Sequence, residues 1–324
     1  MAEWLCEEGI GETRAILVDG GEIVEAAIEL PAETRAGAVV GARLTNILVQ
    51  GRRGIAALDD GGEALVEPLP LGLTEGAAFR VEIVREAVPE AGRFKLAKAR
   101  ATEAPLRPGA SLAERLGRCR RPAAHEPDRF EEAGWSELLE QARSGEIQFD
   151  GGALRLSLTP AMSLFDVDGN LPPAELAVAG AAAAARAIRR FGLGGSIGID
   201  LPTLPDRAGR QAAAAALDAV LPQPFERTAV NGFGFLQVVR RRQRASIPEI
   251  VQGDPAGAAA RALLRRAQRE SGRLALYAAP AVIARIEANP GWLDALRRQA
   301  GGEVALQAEP DLSIFAGHVQ RRPS

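Results

Sequence analysis

Apolar and polar positions alternate along residues 13–20 (TRAILVDG) and 22–30 (EIVEAAIEL), and Asp19-Gly20-Gly21 between them suits the positive φ of a tight turn. The pattern predicts an N-terminal β-hairpin. Over residues 36–101 short β-branched runs recur, GAVVGARL, NILVQG, RGIAALDDGGEALVE, AAFRVEIVRE and GRFKLAKARA, separated by glycine-rich turns. Five or six short strands in about 65 residues predict a small closed barrel, for which the oligonucleotide-binding (OB) type is the commonest host.

The strand rhythm stops after residue 103. PLRPG, CRRPAAHEP and two helical patches, 111–117 and 129–143, predict a linker over 104–145. Three strand-like runs follow (EIQFD, ALRLSL, MSLFDVD), then an alanine-rich helix over 174–191, opened by Pro172-Pro173 and ended by Gly192. The strand GSIGID, a helix over 206–220 and the strands RTAVNG and FGFLQVVRR complete an α+β unit over 146–250. Beyond PEIVQGDPAG, a helix over 256–270, the strand LALYA, helices near 280–299 and the strands EVALQA and LSIFAGHVQ predict a small α/β C-terminal domain, 251–324. The expected fold class is therefore α+β and multidomain, with the hairpin at 1–35 and the barrel at 36–103.

Composition narrows the possibilities. The 324 residues are 47% apolar and 25% charged, an ordinary globular balance with room for two or three domains. The formal charge of −3 conceals that, of 39 basic residues, only Lys95 and Lys98 are lysine and 37 are arginine, so guanidinium clusters can form without a basic net charge. Two cysteines, Cys6 and Cys119, and two histidines, His125 and His318, are too few for a disulfide framework or a thiolate zinc site. Both cysteines are expected to be inert, both histidines structural, and the compartment a reducing cytoplasm. No stretch reaches the roughly 18 uncharged apolar residues of a membrane helix.

Two constellations carry chemistry. In the strand ending MSLFDVD, Leu164, Asp166 and Asp168 share one face, and in GSIGID Asp200 lies on the face opposite Ile197 and Ile199. If these strands are neighbours, three carboxylates converge and call for a neutralising cation, with an all-oxygen set suited to Mg²⁺ or Mn²⁺. The alternative is a solvated Asp pair in the turn DVDGN. The second constellation is Arg240-Arg241-Arg242-Gln243-Arg244, which is either a phosphate clamp or a solvated edge. If the strand runs through it, Arg240, Arg242 and Arg244 share a face. Arg261, Arg265 and Arg269 share one face of the following helix.

The chain resembles the ribonuclease E/G family of bacterial endoribonucleases in three ordered segments: GGALRLSLTPAMSLFDVDGN, RRFGLGGSIGID and GFGFLQVVRRRQRASI. Its opening strands, the barrel region and the tail IFAGHVQRR are similar as well. The resemblance implies an OB barrel, a nuclease domain at 146–250, and Mg²⁺-dependent cleavage of single-stranded RNA to 5′-phosphate and 3′-hydroxyl ends. It places Asp166 and Asp200 on the two metal-holding aspartates, Asp168 where the family has asparagine, and Arg240, Arg242, Arg244 and Ser246 on an arginine-rich stretch. The linker has no counterpart of the family's 5′-end sensor, and the zinc-link cysteines are absent, so no zinc and no zinc-joined oligomer are expected. Residues 181–185 are all alanine where the family helix carries an acidic residue. A non-catalytic RNA-binding relative is the alternative.

Overall fold

The computed structural model describes residues 2–31, 34–90, 93–123 and 126–322. His125 lies outside them. The chain is α+β, with several sheets and a closed five-stranded barrel. Strands β1 (Glu3–Gly9), β2 (Glu12–Asp19) and β3 (Glu22–Glu29) form an antiparallel sheet. The hairpin expected from the sequence is β2-β3; β1, EWLCEEG, buries only Leu5 and Cys6 and has no regular alternation to announce it.

The barrel closes through β4 (Val39–Val49), β5 (Arg53–Leu58), β6 (Glu63–Val66), β7 (Ala78–Arg85) and, after the short ribbon β8 (Val88–Glu90) and β9 (Arg93–Lys95), β10 (Ala97–Ala101). Its order is β10-β6-β5-β4-β7, with β10 parallel to β6 and the other pairs antiparallel, which is compatible with an OB-like barrel. Leu44, Ala56, Val66, Val81 and Ile83 alternate inward and fill it.

Residues 104–145 are more than a linker. Helices α1 (Leu112–Leu116), α2 (Arg129–Glu132) and α3 (Trp135–Ser144) follow one another, and Phe130, Trp135, Leu138 and Ala142 are buried in the main core. The segment also pairs with β1, since the Cys6 amide donates to the Arg120 carbonyl at 2.9 Å and the Arg120 amide to the Trp4 carbonyl at 2.8 Å. There Cys6 and Cys119 form a disulfide, contrary to the expectation of two inert thiols. Their spacing of 113 residues hides the pairing in the sequence, and the bond removes cysteine usage as an argument for a reducing compartment. Closing so long a loop restricts the unfolded chain, so Cys119→Ser is expected to lower stability by about 2–4 kcal/mol. The denaturant midpoint of the oxidised protein against the variant measures it.

The largest sheet comprises β11 (Glu146–Phe149), β12 (Gly152–Leu158), β13 (Ser163–Gly169), β14 (Gly195–Asp200), β15 (Glu226–Arg227) and β16 (Phe235–Arg240), in the order β11-β12-β13-β14-β16-β15. Helix α4 (Pro173–Arg190) packs on β11, β12 and β13, and against β3 and α5 (Arg207–Val220). Its alanines make this closeness possible: Ala181, Ala183, Ala184 and Ala185 are buried, and a Cβ on Gly180 would stand 2.4 Å from Val167. The alanine run thus lets the helix pack closely on several sides, against the sheet and against α5.

A second core is formed by α7 (Pro255–Ala267), β17 (Leu274–Ala278), α8 (Pro280–Glu287), α9 (Pro290–Ala300), β18 (Val304–Ala308) and β19 (His318–Arg321), centred on Leu263, Leu276, Ile286 and Leu296. Ahead of it, α6 (Ile247–Gly253) occupies residues that read as a domain boundary. Among the described residues no helix is long and apolar enough to cross a membrane.

Candidate active site

In β13 the residues Ser163, Phe165 and Val167 are buried, and Leu164, Asp166 and Asp168 face the other way, as the alternation predicts. In β14, Ile197 and Ile199 are buried and Asp200 ends the strand in solvent. The two strands are parallel neighbours, and the register sets Asp166 directly beside Asp200. Register partners on adjacent strands share a face, with their β-carbons about 5 Å apart. Helices cover the opposite face, so both carboxylates lie on the open side of the sheet.

Asp168 does not complete a triad. It stands two residues beyond Asp166, about 7 Å along a strand, where β14 has already ended. Among the described residues no group of three or more Asp, Glu, His or Cys is placed to hold a metal ion. The counter-charge on this face is Arg155 of β12, whose register partner is Asp166. Its Nε donates to Glu146 Oε1 at 2.9 Å, and this bond first, with the fields of Asp168 and Asp166 adding, raises the guanidinium pKa above its ordinary value.

The arginine run lies elsewhere. Strand β16 runs antiparallel to β14 with Phe235 opposite Asp200 and Arg240 opposite Gly195, which puts Arg240 about 17 Å from the carboxylates along the strand. The strand ends at Arg240 because β14 offers no partner before Gly195, so Arg240, Arg242 and Arg244 do not alternate along one edge. Each is engaged. Arg240 Nη1 donates to the Leu193 carbonyl at 3.2 Å, and burial pushes its pKa down. Arg242 pairs with Glu249. Arg244 Nε meets Glu86, at the end of the barrel's β7, at 3.1 Å, and the Glu86 amide donates to the Gln243 carbonyl. Ser246, also assigned to the arginine stretch, caps α6: its amide donates to Glu249 Oε2 at 2.7 Å. Arg241 is the exposed member of the run.

Two aromatics beside Asp200 lie outside the site residues expected from the sequence. Phe235 is its register partner, and its ring lies over Gly198, where a Cβ would stand 2.6 Å from Cζ. Phe233, in the tight turn that Asn231 closes by accepting the amides of Phe233 and Phe235, is 83% exposed. The Thr203 hydroxyl, three residues past Asp200, donates to the Phe233 carbonyl at 3.2 Å and ties this turn to the end of β14. The alternation of glycine and phenylalanine in GFGF was the available signal, since an aromatic between two glycines has few neighbours to bury it.

The chain matches no family model and no characterised protein sequence.

Proposed function

We propose that the open face of the six-stranded sheet is a metal-dependent endoribonuclease site acting on single-stranded RNA. The observation that carries this reading is the register pairing of Asp166 with Asp200, two carboxylates on one solvent-facing surface with no hydrogen bond or ion pair to either among the described residues. Such a pair fits a hard divalent cation, because Mg²⁺ commonly takes one or two carboxylates and fills its remaining positions with water and phosphate oxygens. Asp166 and Asp200 would hold it, and a bound Mg²⁺ supplies Lewis-acid activation of the phosphorus centre and of a water. Arg155 is placed to attract the RNA phosphate toward the carboxylates, and Phe233 offers a stacking surface for one base beside them. The ordered segments that resemble ribonuclease E/G support the same chemistry, with 5′-phosphate and 3′-hydroxyl products.

The test is incubation of the protein with a labelled single-stranded RNA in Mg²⁺ and in EDTA. Fragments that require Mg²⁺ and carry 5′-phosphates support the reading. Arg155 favours a second one, RNA binding without cleavage, because it already supplies a positive charge beside Asp166; intact RNA that shifts on a native gel under both conditions is its signature. In either case Phe233→Ala is expected to weaken RNA binding by about 1–3 kcal/mol, the worth of one base stacked on an aromatic ring. Fluorescence anisotropy with a labelled oligonucleotide measures it.

A further inference from the structure

On β16 the open-face residues Phe235, Gln237 and Val239 alternate with buried Leu236 and Val238. They lead away from the carboxylates, since Phe235 is in register with Asp200, Gln237 with Gly198 and Val239 with Ser196. The Phe235 ring fills the space that a side chain at Gly198 would take, next to Leu164 of β13. Gln237 Nε2 donates to Ser196 Oγ at 2.8 Å, so these two polar groups are turned to each other across the strands. Val239 is left 47% exposed. With Phe233 and Phe235 it forms an apolar strip that starts at the carboxylate pair, and a contiguous exposed strip of this kind marks a binding surface where a single apolar residue would not.

A cation stands at the far end of the strip. Arg241 follows Val239 by two residues and is exposed, with no hydrogen bond or ion pair from its side chain among the described residues. Its neighbours are engaged: Arg240 on the Leu193 carbonyl, Arg242 on Glu249 and Arg244 on Glu86. The α7 arginines Arg261 and Arg265 are turned inward on Glu12. Within the run 240–244, Arg241 is thus the member whose charge is free for a phosphate.

We infer that single-stranded RNA lies along β16, from the Asp166 and Asp200 pair to Arg241, with bases on Phe233, Phe235 and Val239 and a backbone phosphate on Arg241. This rests on the carboxylate pair being an RNA site. From Phe235 to Arg241 is about 20 Å of strand, which six nucleotides cover at a rise of about 3.4 Å each and fewer cover when extended. The strip requires unpaired RNA, because a base can stack on a side chain only when its own face is free. Aromatic and aliphatic platforms make no hydrogen bonds to base edges, so the track is indifferent to sequence.

Fluorescence anisotropy of a labelled octanucleotide with the full chain in EDTA, which separates binding from cleavage, tests the track. Arg241→Gln is expected to weaken binding about fourfold at about 0.15 M salt and to flatten the salt slope by about 0.7, the counterion release tied to one phosphate. Val239→Glu puts a like charge on the strip and should weaken binding about fivefold or more. Arg186→Gln, at an exposed position of α4 on the covered side of the sheet, should leave binding unchanged. Annealing the octanucleotide to its complement should remove most of the affinity. In Mg²⁺ the Arg241 and Val239 variants should raise KM more than they lower kcat, because they act away from the bond that is cut. Parent-like affinity in both folded variants would overturn the track and leave cleavage at Asp166 and Asp200 standing. A parent that neither binds the octanucleotide nor cuts it in Mg²⁺ would overturn the RNA site itself, and the track with it. A dimer in sedimentation that Val239→Glu dissociates would assign the strip to a second copy of the chain and overturn the track alone.

Discussion

Asparagine at Asp166 or at Asp200 is expected to slow RNA cleavage by about a hundredfold or more, because each removes one of two anionic groups available to a cation and leaves side-chain volume nearly unchanged. Neither side chain makes a hydrogen bond or ion pair among the described residues, so the free energy of unfolding should stay within the small range of surface substitutions, about 0.5 kcal/mol. Asp168→Asn is the internal control. It lies past the end of β14, so cleavage should persist. Equal losses at all three positions would point to a general effect of charge on the sheet face, and full activity in Asp166→Asn or Asp200→Asn would place the chemistry elsewhere.

The contrast between these aspartates shows what the sequence could and could not disclose. Period-two alternation identified the solvent-facing side of β13 and β14, because Phe165, Val167, Ile197 and Ile199 have to be buried whatever the neighbours are. It could not say where β14 stops, and that endpoint separates Asp168 from the pair. Likewise the run Arg240 to Arg244 reads as a continuous edge when only composition is visible. Strand length is fixed by the partner, which begins at Gly195, and the residues beyond Arg240 turn away to meet Glu249 and Glu86. Helix α6 falls where the sequence reads as a domain boundary, although Ser246-Ile-Pro-Glu249 carries the capping-box spacing with a proline in the first turn. Long-range pairings, such as Cys6 with Cys119 or Glu12 with α7, leave no local periodicity, and only the assembled fold reveals them.

The largest stability effect is expected at Glu12. This single carboxylate is shared by Arg261 and Arg265, whose side chains are 5% and 10% exposed, and it joins β2 to a helix some 250 residues away. Burial already pulls the Arg261 pKa downward, with the field of Glu12 the first influence opposing it. Glu12→Ala leaves two guanidiniums facing each other without an anion between them, and breaking a buried pair in this way costs about 3–5 kcal/mol. Arg269→Ala, at the exposed end of the same stripe, should cost about 1 kcal/mol or less, since water replaces what its partners lose. Urea denaturation of the two variants compares them directly. A loss at Glu12 no larger than that at Arg269 would mean that water already reaches the inner pairs.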